Sequence, residues 1–168
     1  YQLVGWRLRR GENPVVIEHD IPDRLWYDAM PELLVDVRGA GVDAVIEEID
    51  IAAKSYPYKN TYSVWPGPNS NTFIAWIGRL VPELRLDLPA TAIGKDWLGG
   101  GRIFARAPSG TGYQLSLFGL FGILLGLEEG LEINVFGLNF GIDALDTNLR
   151  LPGIGRIGPS NKVKPRTL

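Results

Sequence analysis

The chain has 168 residues, of which 45% are hydrophobic, and its formal net charge at pH 7 is −2. This length suits one hydrophobic core, so we expect a single domain, and the near-neutral charge argues against a nucleic-acid partner, which requires a basic face. Because the chain has no cysteine and one histidine, disulfides, thiol nucleophiles and cysteine or histidine zinc sites are excluded. No acidic calcium loop is visible, so we expect neither a metal nor a cofactor.

The N-terminal segment predicts a hairpin. Residues 1–9 and 15–17 are rich in β-forming residue types, and the segment 11–14 between them has the composition of a turn. Because the chain begins at Tyr1 within the first pattern and without methionine, we expect an upstream strand to be missing. The strand over residues 1–9 would then have an exposed edge.

Two helices are predicted in the middle of the chain. From Gly41 to Tyr56, apolar residues recur on one face opposite acidic residues, which indicates a surface helix. A second apolar stripe starts near residue 69 and includes Phe73, Ile77 and Leu80. We expect these three side chains to be buried against a C-terminal sheet.

The segment 65–73 joins a Pro/Gly turn to the start of the second helix. The turn fixes the backbone, so the triplet Asn69, Ser70 and Asn71 lies at the helix N-terminus, where N–H groups are free and the dipole is positive. Ser70 is therefore a candidate nucleophile, with the neighbouring N–H groups as an oxyanion hole. The simpler alternative is that the triplet only caps the helix, as Asn and Ser often do.

Few other side chains could assist such a serine. His19 is the one imidazole and continues the predicted face of Val15 and Ile17, although its acidic neighbours favour an exposed strand end. Lys95 and Asp96 form either a pocket ion pair, with the lysine as a possible general base, or an ordinary surface pair. For residues in a loop, the surface pair is the ordinary case.

The C-terminal half switches to strands. We predict three antiparallel strands over Ile103–Ala105, Tyr113–Leu127 and Leu131–Ile142, with turns at residues 109–112 and 128–130. Glycines inside these strands indicate bends or close backbone approach. The predicted fold class is therefore α+β, with a curled antiparallel sheet packed against two helices.

The ends of this region complete the domain assignment. Residues 1–156 form the predicted domain, and residues 157–168 form a basic, loose tail. The G-x-G-x-x-G pattern at 153–158 has no room for a following helix, so we exclude a dinucleotide site. The apolar run 115–127 is too short to span a membrane. Glu128, Glu129 and Glu132 could pair for acid/base chemistry, but acids at a strand turn are usually solvated.

Five ordered segments of the chain resemble a bacterial family of unknown function, DUF 3750. They are residues 65–73, 88–96, 109–117, 129–134 and 151–156. The resemblance spans residues 1–156 and implies no established activity. Family members are longer at the N-terminus, with an apolar anchoring segment, so the resemblance implies a membrane-anchored or periplasmic bacterial protein.

The Asn-Ser-Asn-Thr-Phe pattern at 69–73 is similar, more distantly, to the Asn-Cys-x-x-Phe element of circularly permuted papain-like hydrolases of the NlpC/P60 type. This likeness implies a permuted papain-like arrangement with Ser70 at the nucleophile position. Asn69 and Asn71 would be orienting or oxyanion groups, and His19 would replace the histidine expected on an upstream strand. The expected substrate-binding residues are Trp65, Lys95, Asp96 and Gln114.

Two functional hypotheses follow. In the first, the chain is a hydrolase or acyltransferase that acts on an amide or ester of the bacterial envelope through Ser70. In the second, it is a non-catalytic binding module, in which the helix N-terminus and Lys95 hold an anionic lipid headgroup or a peptide carboxylate. The ligand is then a small molecule, a lipid or a peptide, and the sequence leaves the oligomeric state open.

Overall fold

A computed structural model describes residues 1–19, 21, 25, 28–143, 147–159, 163 and 165–168. Within them the α+β class is confirmed. The α-helices are α1, Val42–Lys54, and α2, Ser70–Leu80, and two 3-10 helices cover Gly5–Arg10 and Pro82–Leu84. The strands are β1 Gln2–Leu3, β2 Val15–Val16, β3 Val37–Arg38, β4 Phe104–Arg106, β5 Gly112–Leu117, β6 Phe121–Gly126, β7 Gly130–Val135, β8 Leu138–Asp143, β9 Asn148–Leu151, β10 Gly155–Ile157 and β11 Arg166–Thr167.

The described residues form one large sheet and two small ones. The large sheet has seven antiparallel strands in the order β10-β9-β8-β7-β6-β5-β4, so each strand pairs with its sequence neighbour. The small sheets are β1 with β2, which are antiparallel, and β3 with β11, which are parallel. Among the described residues of the predicted tail, Ile157 ends β10 and Arg166–Thr167 form β11. Among the described helices, none is both long enough and apolar enough to cross a membrane.

The N-terminal strand is shorter than predicted. Strand β1 covers only Gln2–Leu3, and after Val4, which is also extended, the chain forms a 3-10 helix over Gly5–Arg10. This helix ends at Gly11, whose φ of 69° is the left-handed conformation that glycine adopts easily. The sequence pattern fails here because this short segment buries little apolar surface. Burial therefore does not favour a strand over a helical turn.

The helices form the hydrophobic core with β1. Phe73 and Ile77 of α2 are buried, as predicted, in a cluster that contains Ala53 of α1 and Leu3 of β1. The prediction was wrong about Leu80, which is 48% exposed, and about the partner of the stripe, which is α1 rather than the C-terminal sheet. The α1 and α2 helices pack directly on each other, so both turn one apolar face to this shared core.

The prediction of three C-terminal strands was wrong in number, because the described part of this region contributes seven to the large sheet, of which β4 nearly coincides with the predicted strand Ile103–Ala105. Each of the two long runs contains a tight turn, at Phe118–Gly119 between β5 and β6 and at Phe136–Gly137 between β7 and β8. All four residues have positive φ, between 52° and 82°, as the two central residues of a type I′ turn do, and the loop has three residues between β5 and β6 and two between β7 and β8. Because a phenylalanine rarely adopts this conformation, no turn is expected from the residue types at these positions.

The two faces of the large sheet differ in polarity. The face toward the rest of the protein carries mostly polar residues, which contact the segment 87–97. The opposite face, which we call the outer face, is exposed and apolar on the four strands β5–β8. Its residues there are Tyr113, Leu115, Leu117, Phe121, Ile123, Leu125, Leu131, Ile133, Val135, Leu138, Phe140 and Ile142.

Candidate functional site

The N-terminus of α2 opens into a cleft of about 500 Å³, which we call the α2 cleft. Four parts of the chain meet there: the segment 62–65, the first turn of α2, the loop 91–93 and the β7–β8 turn. The lining residues are Tyr62, Val64, Trp65, Asn69, Ser70, Asn71, Thr91, Ile93, Phe136, Gly137 and Leu138. Most of these side chains are apolar or aromatic, which is typical of a small-molecule site.

Asn69 is the N-cap of α2. Its side-chain oxygen accepts hydrogen bonds from the N–H groups of Asn71 at 2.9 Å and Thr72 at 3.0 Å. The Thr72 hydroxyl is 2.7 Å from the Asn69 N–H, which completes a capping box. The capping interpretation of the triplet therefore holds for Asn69, whereas Ser70 is the first helical residue and not the cap.

The amide of Asn69 also ties the helix to two loops. Its nitrogen donates to the carbonyl oxygens of Val64 at 2.8 Å and Ile93 at 3.1 Å. The side chain of Asn71 donates to the same Ile93 oxygen at 2.8 Å. A Cβ atom at Gly94, which has a φ of 95°, would collide with the Asn69 amide. Glycine at this position therefore permits the close approach on which the cap depends.

Ser70 is exposed at the mouth of the cleft. Among the described residues, no hydrogen bond from its backbone N–H is found, and no histidine, lysine or carboxylate side chain lines the cleft. His19 lies exposed after β2, and no hydrogen bond joins it to Ser70 in the described part of the chain. The predicted base is therefore not placed at the serine in this structure.

Three of the predicted substrate-binding residues lie elsewhere, in a buried ionic network under the large sheet. Lys95 is 1% exposed and pairs with Glu132 of β7, and its Nζ is 3.7 Å from Oδ1 of Asp96. Gln114 of β5 donates to Asp96 Oδ1 at 2.5 Å. Lys95 and Asp96 are therefore not a surface pair, which corrects the ordinary expectation for such residues in a loop.

Arg150 of β9 closes the other side of this network. It donates to Asp87 through both terminal nitrogens, at 2.5 and 2.7 Å, and to Glu132 Oε1 at 2.9 Å. Glu132 therefore lies between Lys95 and Arg150. Glu129 is also buried, where it accepts hydrogen bonds from Ser109. The expectation that Glu129 and Glu132 are solvated was wrong, because both point to the inner face of the sheet.

Electrostatics keep the lysine of this network charged. Burial alone would lower the pKa of Lys95, but the carboxylates of Asp96 and Glu132 outweigh it and raise that pKa above its ordinary value. Arg79 of α2 donates to Gln114 at 2.7 Å, and burial lowers its pKa to about 10. Lys95 is thus a protonated structural cation in contact with carboxylates, and it does not have the lowered pKa that suits a general base.

A larger cleft of about 930 Å³ lies at the β9–β10 edge of the sheet. Four arginines line it, and each already has a partner. Arg85 pairs with Glu128, Arg150 and Arg156 pair with Asp87, and Arg166 donates to carbonyl oxygens of residues 83 and 84. The α2 cleft is the stronger candidate, because Ser70 at the helix N-terminus is exposed there, whereas the described cationic side chains of the larger cleft are all paired.

The structure thus divides the predicted site into two. Trp65, Asn69, Ser70 and Asn71 share the α2 cleft, whereas Lys95, Asp96 and Gln114 belong to the buried network. Sequence reasoning missed the walls that come from distant segments: Tyr62, Ile93, Phe136 and Leu138. It also missed Asp87 and Arg150. A signal existed in the polar residues at every second position of the C-terminal strands, which mark a polar sheet face.

Comparison with known proteins places the chain in a family without giving it an activity. The family model described as "Protein of unknown function (DUF3750)" matches residues 1–97, which is more than half of the chain, so the chain belongs to this family. The match includes the α2 helix and the loop 91–93 and ends before the large sheet. No curated protein and no solved structure matches the chain, so no relative supports the papain-like likeness.

Proposed function

We propose that this member of the DUF3750 family is a binding module whose α2 cleft holds an apolar ligand group ending in a hydrogen-bond acceptor, such as a fatty acyl chain with its carboxylate or carbonyl. The observation that carries the proposal is the composition of the cleft. Its walls are aromatic and aliphatic, and Ser70 stands at its polar end. Such a cleft favours an apolar ligand body and one polar contact.

The polar end of the cleft favours an acceptor over a cation. Ser70 offers a hydroxyl and its backbone N–H at the first turn of an eleven-residue helix, where the helix dipole is positive. The nearby amide nitrogens of Asn69 and Asn71 are already bonded to Ile93 O. A carboxylate or carbonyl oxygen would therefore be held by Ser70, and an ammonium group would meet the positive end of the helix.

Two features favour binding over catalysis. The N–H groups of Asn71 and Thr72, which could otherwise form an oxyanion hole, are bonded to the side chain of Asn69. No described side chain is placed as a base for Ser70. The predicted role for Lys95 in holding an anionic headgroup is not supported by its position, since it is buried and paired with Glu132.

A pair of matched amphiphiles tests the proposal. Dodecanoate and dodecyltrimethylammonium have the same chain length and opposite charge, and each is titrated below its micellar concentration into the isotope-labelled protein. We expect dodecanoate to shift the Ser70 amide and Trp65 indole resonances and to bind at least about tenfold more tightly than the cation, the value of one hydrogen bond to a charged group. Equal binding of the two would refute the proposed acceptor site.

Two variants identify the site of binding. Ile93→Glu places a negative charge in the cleft, which repels the carboxylate of dodecanoate, and should weaken dodecanoate binding by at least about tenfold. Ile46→Glu introduces the same charge at an exposed position of α1 outside the cleft and should leave the affinity unchanged. If both variants bind as tightly as the wild type, the ligand occupies another surface.

A hydrolase or acyltransferase of the bacterial envelope is the second candidate, favoured by the accessible Ser70 hydroxyl at the start of α2. A fluorophosphonate probe tests it, with peptide mapping of the adduct. The enzyme hypothesis expects selective labelling of Ser70 that is lost in Ser70→Ala, with no labelling of the exposed Ser55. Labelling of neither serine supports the binding module. A membrane-anchored or periplasmic location would suit both candidates and is part of the proposal.

A further inference from the structure

The outer face of the large sheet is a continuous apolar surface. In each of β5, β6, β7 and β8 the three outward residues are aliphatic or aromatic, and they lie directly opposite one another across neighbouring strands. One such row runs Leu115, Ile123, Ile133 and Phe140. Within β5–β8 no charged residue is found on this face, and on the edge strand β4 the outward residues include Arg106.

The inner face of the large sheet is buried but mostly polar, which is the reverse of the usual arrangement of a sheet on its own core. The inward residues of the same strands include Gln114, Glu132, Asn134 and Asn139, all buried and polar, while Leu124 is the buried apolar residue among them. An antiparallel sheet commonly packs its apolar face on a core and leaves its polar face in water. Here the apolar face is exposed in the described part of the chain, and the polar face is buried.

The area of the outer face is large enough for a stable interface. The twelve side chains on β5–β8 are each 37–65% exposed and together expose on the order of 1,000 Å², since a large side chain offers roughly 150–250 Å². The largest apolar patch of a typical monomer is roughly 300–600 Å². A standard protein interface buries about 800 Å² on each partner, so this face alone meets that requirement.

We propose that the outer face packs on the outer face of a second copy of the chain, so that two seven-stranded sheets form a sandwich. Homodimer interfaces are apolar and poor in charge, as this face is. Sheets stacked face to face lie about 10 Å apart with interdigitating aliphatic and aromatic side chains, which the outward residues supply. A bilayer-bound surface would instead combine apolar residues with Lys or Arg for the headgroups.

The strand order also fits a two-fold axis that runs along the strands. The central strand of the sheet is β7, and an axis over it places β7 on β7 and β4 over β10 of the other copy. Arg106 then lies across from the β10 edge, near solvent, and not across from its own copy. The outward residues of β7, which are Leu131, Ile133 and Val135, then each face their own symmetry mate.

The mass of the protein in solution tests the dimer. We expect the full chain to sediment at twice its mass of 18.5 kDa. Ile133→Glu buries a charge in the interface and should reduce the mass to that of one chain while the far-UV circular dichroism is unchanged. Ile46→Glu is the matched control, because Ile46 on α1 is 51% exposed and Ile133 is 46% exposed, and it should remain dimeric. A monomeric wild type at tens of micromolar, or a dimeric Ile133→Glu, overturns the proposal.

Cross-linking gives a second readout that does not depend on a disruptive variant. The chain has no cysteine, so Ile133→Cys and Ile46→Cys each introduce a unique thiol. A bismaleimide of about 10 Å, the spacing of stacked sheets, should join two copies of Ile133→Cys and not of Ile46→Cys. Equal yields for the two variants overturn the proposal. So does a protein that is monomeric alone and floats with phosphatidylcholine–phosphatidylglycerol vesicles, which would identify a bilayer as the occupant.

Discussion

Asn69 uses both ends of its amide inside the protein, and this makes it the residue on which the α2 cleft depends. Its oxygen accepts two hydrogen bonds from the helix and its nitrogen donates two to loops. We therefore expect Asn69→Ala to lower the free energy of unfolding by about 1 to 2 kcal/mol, the upper part of the range for a lost N-cap. Urea denaturation measures this loss.

Asn71→Ala is the matched control for this prediction. Asn71 makes one side-chain hydrogen bond, to Ile93 O, at a partly exposed position. Asn71→Ala should therefore lower the free energy of unfolding by less than about 1 kcal/mol. Equal losses of unfolding free energy in Asn69→Ala and Asn71→Ala would show that the N-cap does not stabilise the cleft more than a single side-chain hydrogen bond does. Ser70→Ala should change stability by less than about 0.5 kcal/mol, because Ser70 is not the cap.

At the scale of elements, α2 shows what a helical pattern can and cannot predict. Phe73 is fully buried between α1 and β1, whereas Leu80 on the same predicted stripe is half exposed. Phe73→Ala should cost about 3 to 5 kcal/mol of unfolding free energy, and Leu80→Ala less than about 1 kcal/mol. Chemical denaturation of the two variants checks this. Similar losses would mean that both ends of the stripe are equally buried in solution.

The β7–β8 turn gives a second prediction for an element. Gly137 has a φ of 82°, and a Cβ atom there would collide with the Trp65 indole of the cleft. Gly153 has a φ of 74°, and a Cβ atom there would point into open space. Both alanine variants carry similar backbone strain, so strain alone does not distinguish them. Because only the new methyl group at Gly137 meets the indole, only Gly137→Ala should shift the Trp65 indole resonance. An unchanged resonance would show that the turn does not pack on Trp65.

The predictability of these elements differs for physical reasons. The start of α2 was predictable because two prolines and a capping residue act locally, within a few residues of Asn69. The turns at Phe118 and Phe136 were not, because alternating apolar residues continue through them and phenylalanine gives no turn signal. The cleft needed Ile93 and Phe136 from distant segments, which a local pattern cannot bring together.

At the scale of the whole molecule, the buried ionic network joins the family-matched part of the chain to the large sheet. Lys95 and Asp87 precede residue 97, and Glu132 and Arg150 belong to the sheet. Glu132→Gln removes the negative charge that Lys95 and Arg150 share, while both cations stay buried. We therefore expect the free energy of unfolding to fall by about 3 to 5 kcal/mol. Differential scanning calorimetry and urea melts measure it.

Glu128→Gln is the control for the network. Glu128 pairs with Arg85 at 3.2 Å, and both side chains are more than a third exposed. Such a pair contributes less than about 1 kcal/mol, so this variant should melt close to the wild type. If Glu128→Gln and Glu132→Gln destabilise equally, burial does not distinguish the two carboxylates and the network is not what joins the halves.

The pairing of every strand in the large sheet with its sequence neighbour has a consequence for the order of folding. Contacts between neighbours close short loops, so hairpins of this kind form rapidly, whereas contacts of Lys95 with β7 must wait for a longer chain closure. The five tryptophans all precede β4, so their fluorescence reports on the packing of the part of the chain that precedes the sheet, whereas protection of the β5–β8 amides from hydrogen exchange reports on the hairpins. In refolding followed by pulsed hydrogen exchange and by stopped-flow fluorescence, the β5–β8 amides should therefore become protected before the fluorescence recovers, and simultaneous recovery would mean that the sheet needs the preceding part of the chain to form.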